Sequence, residues 1–130
     1  MVDASNQNRP VLHVCVTCRQ GRPFEERPIP GQVFYDKLEE YAAEKDFDLQ
    51  PVKCFASCAR GCVVGVSMPQ KWTLLLGHLG LHNLQDFLTY LELYRTSKTG
   101  MVMPSKRPQS LSEMVLSRLP MTFSNSQDIL

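Results

Sequence analysis

The chain has 130 residues, 43% of them hydrophobic, and a formal net charge of +1. That length suits one ordinary domain and is too short for two. The apolar fraction supports a real core and the charges are interspersed, so neither a cysteine-stapled miniprotein nor a nucleic-acid binder is expected.

Residues 1–10 read as a flexible arm. They are polar and lack the apolar stretch of a secretory leader, and no run of about 18 apolar residues follows. The expectation is a cytoplasmic chain with no membrane span. Val11 to Val16 is an apolar, β-branched run that predicts a first strand with Cys15 at its end. Arg19 to Gln32 carries Gly21, Pro23, Pro28, Pro30 and Gly31, which predicts a loop. There Arg19, Arg22 and Arg27 alternate with Glu25 and Glu26, either as a solvated loop or as a docking rim. Phe34, Leu38, Tyr41 and Ala42 fall at helical spacing and predict a helix over Val33 to Lys45. A second strand is expected over Leu49 to Phe55, delivering Cys54.

Cys62 to Val66 predicts a third strand, Ser67 to Gln70 a turn, Trp72 to Leu76 a fourth strand, and Gly77 to His82 a connection. Asn83 suits an N-cap, with Asp86 in the first turn where the helix dipole favours negative charge. Leu84, Phe87, Leu88 and Leu91 then mark a helix to about Tyr94. Ser110 and Glu113 have capping-box spacing, which predicts a last short helix with Leu111, Met114, Val115 and Leu119 on one stripe and Pro120 as its stop. Residues 121–130 are expected to fray.

The order strand, helix, strand, strand, strand, helix predicts an α/β fold: a four-stranded mixed sheet with covering helices. The domain is expected over residues 11–97, with a C-terminal extension over 98–130. A right-handed crossover makes the first two strands parallel. Cys15 and Cys54 then lie at C-terminal strand ends on one edge of the sheet, and the loops that follow carry Cys18 and Cys58.

The five cysteines fall in two clusters, Cys15-Val-Thr-Cys18 and Cys54-Phe-Ala-Ser-Cys58-Ala-Arg-Gly-Cys62, separated by 35 residues. An odd count argues against a fully paired disulfide framework, and a reducing compartment favours metal or redox chemistry. Thiolate is a soft ligand, and four thiolates suit either a two-iron cluster or zinc. Two short-spaced pairs give each iron of a [2Fe–2S] rhomb its two terminal sulfurs. The expected ligands are Cys15, Cys18, Cys54 and Cys58, with Cys62 as an alternate ligand or a near-shell thiol. Three other readings stay open: a structural or delivery zinc site, a dithiol oxidoreductase using Cys15 and Cys18, and cysteines that are merely small buried hydrophobes. Against the dithiol reading, the C-x-x-C opens a Gly/Pro-bearing loop instead of a helix.

The second cluster with its 35-residue gap resembles the thioredoxin-like two-iron ferredoxins and the small iron–sulfur subunit of respiratory complex I. Leu12-His-Val-Cys-Val-Thr-Cys-Arg, Cys58-Ala-Arg-Gly-Cys62-Val-Val, Lys71-Trp-Thr-Leu-Leu-Leu-Gly-His-Leu and the late Gly100, Pro104, Arg107-Pro108, Leu119-Pro120 pattern resemble more closely a bacterial family of predicted metal-binding proteins, domain of unknown function 1636. The resemblance covers about Val11 to Pro120. It implies a thioredoxin-like fold of the ferredoxin type, a [2Fe–2S] cluster, a redox partner protein and a possible homodimer. It also implies a place for Cys62 in the motif, and a weaker link to tetrapyrrole or cobalamin metabolism.

His13 lies two residues before Cys15 and so faces the same side of the pleat. It reads as a packed strand residue; His78 and His82 flank the Gly80 turn and are weak candidates for a metal. Trp72 reads as core. No Gly-rich phosphate loop, G-x-S-x-G, H-E-x-x-H or defensible Ser/His/Asp set occurs, so stand-alone enzymatic chemistry is not expected. The reading is an electron-transfer or redox-sensing protein.

Overall fold

The computed structural model describes residues 9–18, 27–53, 62–111 and 114–120. Strand β1, Val11–Cys15, is followed by helix α1, Pro30–Tyr41, and strand β2, Asp48–Val52. Strands β3, Cys62–Ser67, and β4, Thr73–Leu79, form a hairpin. A 3-10 turn at Leu81–Asn83 leads into helix α2, Leu84–Thr96, and the last strand, β5, is Val115–Leu119. No helix among the described residues is long and apolar enough to cross a membrane.

The sheet order is β2-β1-β3-β4-β5. As predicted, β1 and β2 run parallel, with Cys15 opposite Val52. The other neighbours are antiparallel. Period-2 alternation puts Leu12 and Val14 of β1, Val64 and Val66 of β3, and Leu74 and Leu76 of β4 into the core at 1% exposure or less. Both helices lie against this face. They meet where Phe34 and Phe87 pack edge to face, ring centroids 5.9 Å apart. The other face stays half open along His13, Thr73, Leu75 and Ser117.

Four expectations need correction. The second strand, expected over Leu49 to Phe55, ends at Val52, and Lys53 already bends away from it. The helix expected over Val33 to Lys45 starts earlier, because Pro30 takes the first helical position where its missing N–H costs nothing. The fourth strand does not stop at Leu76; it continues to Leu79 through a bulge. The capping-box segment does not become a helix. Gln109–Leu111 makes one 3-10 turn, and Val115–Leu119 pairs with β4, so the sheet has five strands instead of four. The free edge of β4 offers backbone partners along five residues. That outweighs the weak helix preference of a segment ended by Pro120. Leu111 is fully buried as the stripe requires, but Leu119 is 59% exposed.

Candidate metal centre

The site is built at one end of the sheet. β1 runs out at Cys15, and the chain turns at Val16 and Thr17 to reach Cys18. The turn is tied to β2, where Val16 N–H donates to the Val52 carbonyl at 2.9 Å. Thr17 Oγ1 donates to the Lys53 carbonyl. Cys15 Sγ lies 3.6 Å from Thr17 Oγ1 and donates to the Lys53 carbonyl at 3.8 Å. Antiparallel pairing of β1 with β3 brings Cys62, the first residue of β3, to the same end.

Cys15, Cys18 and Cys62 are all buried thiols, with 1% exposure or less. Cys18 shares a hydrogen bond with Cys15, receives one from the backbone of Val63, and feels the charge of Cys62. The Cys18 thiol is pushed up to about 12, first by burial and then by the hydrogen bond and charge of Cys15 and the charge of Cys62, with the Val63 amide working against them. Thiolates crowded in a dry site repel one another. A bound cation reverses that repulsion, so this donor set fits a thiophilic metal. Among the described residues, no three His, Cys, Asp or Glu side chains are grouped to hold a metal ion by themselves. Cys54 and Cys58 lie outside the described residues, as do Arg19, Arg22, Glu25 and Glu26 of the expected rim.

Helix α1 closes the site from one side. Gly31 N–H donates to the Cys18 carbonyl at 2.8 Å. A Cβ on Gly31 would sit 2.3 Å from the Cys15 carbonyl oxygen and 2.9 Å from the Cys18 nitrogen. Only glycine permits this approach of backbone to backbone. Sequence reasoning placed Gly31 in a loop; the Pro30-Gly31 pair just ahead of an apolar helical stripe was the signal available.

The remaining candidates fall elsewhere. His13 shares the pleat face of Cys15, as expected, and lines a shallow, mostly apolar hollow of about 250 Å³ with Gly65, Leu75 and Ser117. His78 and His82 are exposed at the β4–α2 turn. Trp72 is half-buried against the core under the guanidinium of Arg118, 5.4 Å from its ring centre.

The model for the family described as protein of unknown function (DUF1636) matches residues 12–121. The chain belongs to that family. In this DUF1636 protein the match runs from β1 to just past β5 and includes all five cysteines. No curated protein and no solved structure matches the chain.

A pH prediction follows for the metal-free protein. The ordinary thiol value is 9.0 and the folded value of Cys18 is higher, so the folded state keeps a proton that the unfolded state releases. Stability is therefore full below pH 9 and falls as pH rises from 9 toward 12. Cys18 thus makes the protein less stable at pH 10 than at pH 8. Urea midpoints at the two pH values, compared with those of Cys18→Ser, check this; the serine variant should lose that part of the slope.

Proposed function

We propose that this DUF1636 protein is a [2Fe–2S] cluster-binding electron-transfer or redox-sensing protein of the thioredoxin-like ferredoxin type. Cys15, Cys18, Cys54 and Cys58 are the ligands, and Cys62 is a neighbouring or alternate thiol. The observation that carries the reading is the buried, hydrogen-bonded pair Cys15 and Cys18 at the end of the sheet to which strand pairing also brings the buried Cys62, from a part of the chain more than forty residues away. The parallel pairing of β1 and β2 supports it, because the chain leaves β2 at Val52 on the edge where β1 ends. Cys54 is two residues further on. The β1-α1-β2 unit followed by a hairpin and α2 supports the thioredoxin-like placement.

When bound, the cluster would supply one-electron chemistry. The chain's part is to hold the sulfurs, exclude water and donate amides such as that of Val63 toward sulfur, which tunes a potential. The partner is a redox protein, and the compartment is the reducing cytoplasm. The protein is not read as a stand-alone enzyme.

Zinc is the second reading, favoured by a third buried thiol, Cys62, at the sheet end that carries Cys15 and Cys18, since a closed site of three or four thiolates suits tetrahedral zinc. The dithiol oxidoreductase reading has less support, because Cys15 ends a strand and leads into a turn, so no helix N-terminus lowers its thiol. Anaerobic reconstitution with iron and sulfide separates these readings. A brown protein with about two irons and two sulfides per chain, giving a rhombic electron-spin signal after one-electron reduction, is expected. A colourless protein that retains a single zinc supports the second reading. Uptake of neither metal overturns both.

A further inference from the structure

Where β4 passes Cys62 it carries one residue too many. Cys62 pairs with Leu79 and Val64 with Leu76, so Val63 alone stands against both Gly77 and His78. This is a β-bulge, a feature that re-aims side chains beside functional sites. His78 sits in it at φ 57, a left-handed conformation that few non-glycine residues adopt.

The bulge is held by Asn83, the one polar side chain in the buried set among the described residues, at 3% exposure. Its Nδ2 donates to the His78 carbonyl at 3.1 Å, and its Oδ1 accepts from Gly80 N–H at 2.9 Å. The extra residue of a bulge drops out of the strand ladder, so its carbonyl needs another donor. A side chain that donates and accepts at once is required, and a carboxylate can only accept. Sequence reasoning made Asn83 the cap of α2. It does occupy that position, yet its side chain makes no cap hydrogen bond and turns back toward β4 instead.

We propose that Asn83 is a positioning residue for the thiol centre. By locking the bulge at Gly77 and His78, it sets Leu79 against Cys62 and fixes where Cys62 stands at the end of the sheet that carries Cys15 and Cys18. This deepens the thiolate-metal reading and rests on it for its functional meaning. The role belongs to the backbone of the bulge, not to the imidazole of His78, which is exposed.

The full chain tests this with two readouts. In metal-free protein, alkylation by N-ethylmaleimide is followed at Cys62 by mass spectrometry. Asn83→Ala should react at least tenfold faster than the native chain, and Asn83→Asp should fall between them. The second readout is the thiolate-to-metal absorption after loading with cobalt(II), which should shift in Asn83→Ala. Leu91→Ala, a core truncation elsewhere on α2, sets how far alkylation rises through lowered stability alone, while its cobalt absorption should stay native. His78→Gly should leave both readouts unchanged, because glycine accepts the same φ. If Asn83→Ala does not fold, Asn83→Asp carries the comparison. The proposal is overturned if the Asn83 variants match Leu91→Ala in both readouts, or if His78→Gly shifts them as far as Asn83→Ala. A native chain that takes up neither iron nor cobalt sinks the metal reading, and the alkylation rates then decide the positioning role alone.

Discussion

Serine in place of Cys15 or Cys18 is expected to take bound iron from about two per reconstituted chain to near zero. Both sulfurs are in one hydrogen-bonded pair, so losing either removes half of one iron's protein ligands. Cys54→Ser and Cys58→Ser should behave alike if the second pair completes the centre. Cys62→Ser is expected to act more mildly, weakening binding roughly 10–100-fold, the range typical of groups that support ligands. Iron and sulfide analysis after anaerobic reconstitution reads the effect, with thermal unfolding as a check that each variant folds. A Cys15→Ser protein that holds native amounts of iron would remove the ground for the reading.

The second large effect lies outside the cysteines. Gly31→Ala is expected to destabilise the fold by about 3 kcal/mol, the upper end of the overpacking range. The added methyl meets the carbonyl of Cys15 and the nitrogen of Cys18, and neither can rotate away as a flexible side chain could. The Cys15–Cys18 turn must shift or α1 must lift, so metal affinity should fall along with stability. Gly100→Ala is the comparison. Its φ of 84 and a Tyr94 ring carbon 2.7 Å from the added atom predict a loss of stability there as well. That site is far from the thiols in the fold, beside Lys71 and Trp72, so iron binding should stay native. Urea unfolding and iron content, measured on both variants, separate loss of stability from loss of the site. Equal iron retention in the two would mean that α1 does not shape the thiol turn.

Much of the sheet was legible because its signals are local. Val11 to Cys15 and Cys62 to Ser67 are β-branched, apolar runs, and each proves to be a strand of the central pair. The stripe of Leu84, Phe87, Leu88 and Leu91 proves to be the buried face of α2. Parallel pairing of β1 and β2 followed from the handedness of crossovers, not from any single residue. Met114 to Leu119 misled for the opposite reason. Its spacing suits a helix, and only the unpaired edge of β4, far off in sequence, turns it into a strand.

The candidate site divides along the same line. Residue type and spacing marked every cysteine as chemistry-bearing, since five soft donors in two clusters have few structural uses. Spacing also put Cys15 and Cys18 together, because the two turn residues between them cannot carry them far apart. The place of Cys62 was decided by the antiparallel register of β3 and by a bulge in β4, and both are products of strand pairing. The work of Gly31 and Asn83 was equally hidden, since each acts on backbone atoms of another segment. Sequence by itself determined which atoms are available for metal chemistry in this DUF1636 protein. Tertiary structure decided which of them meet, because long-range hydrogen-bond register and steric contact leave no trace in local pattern.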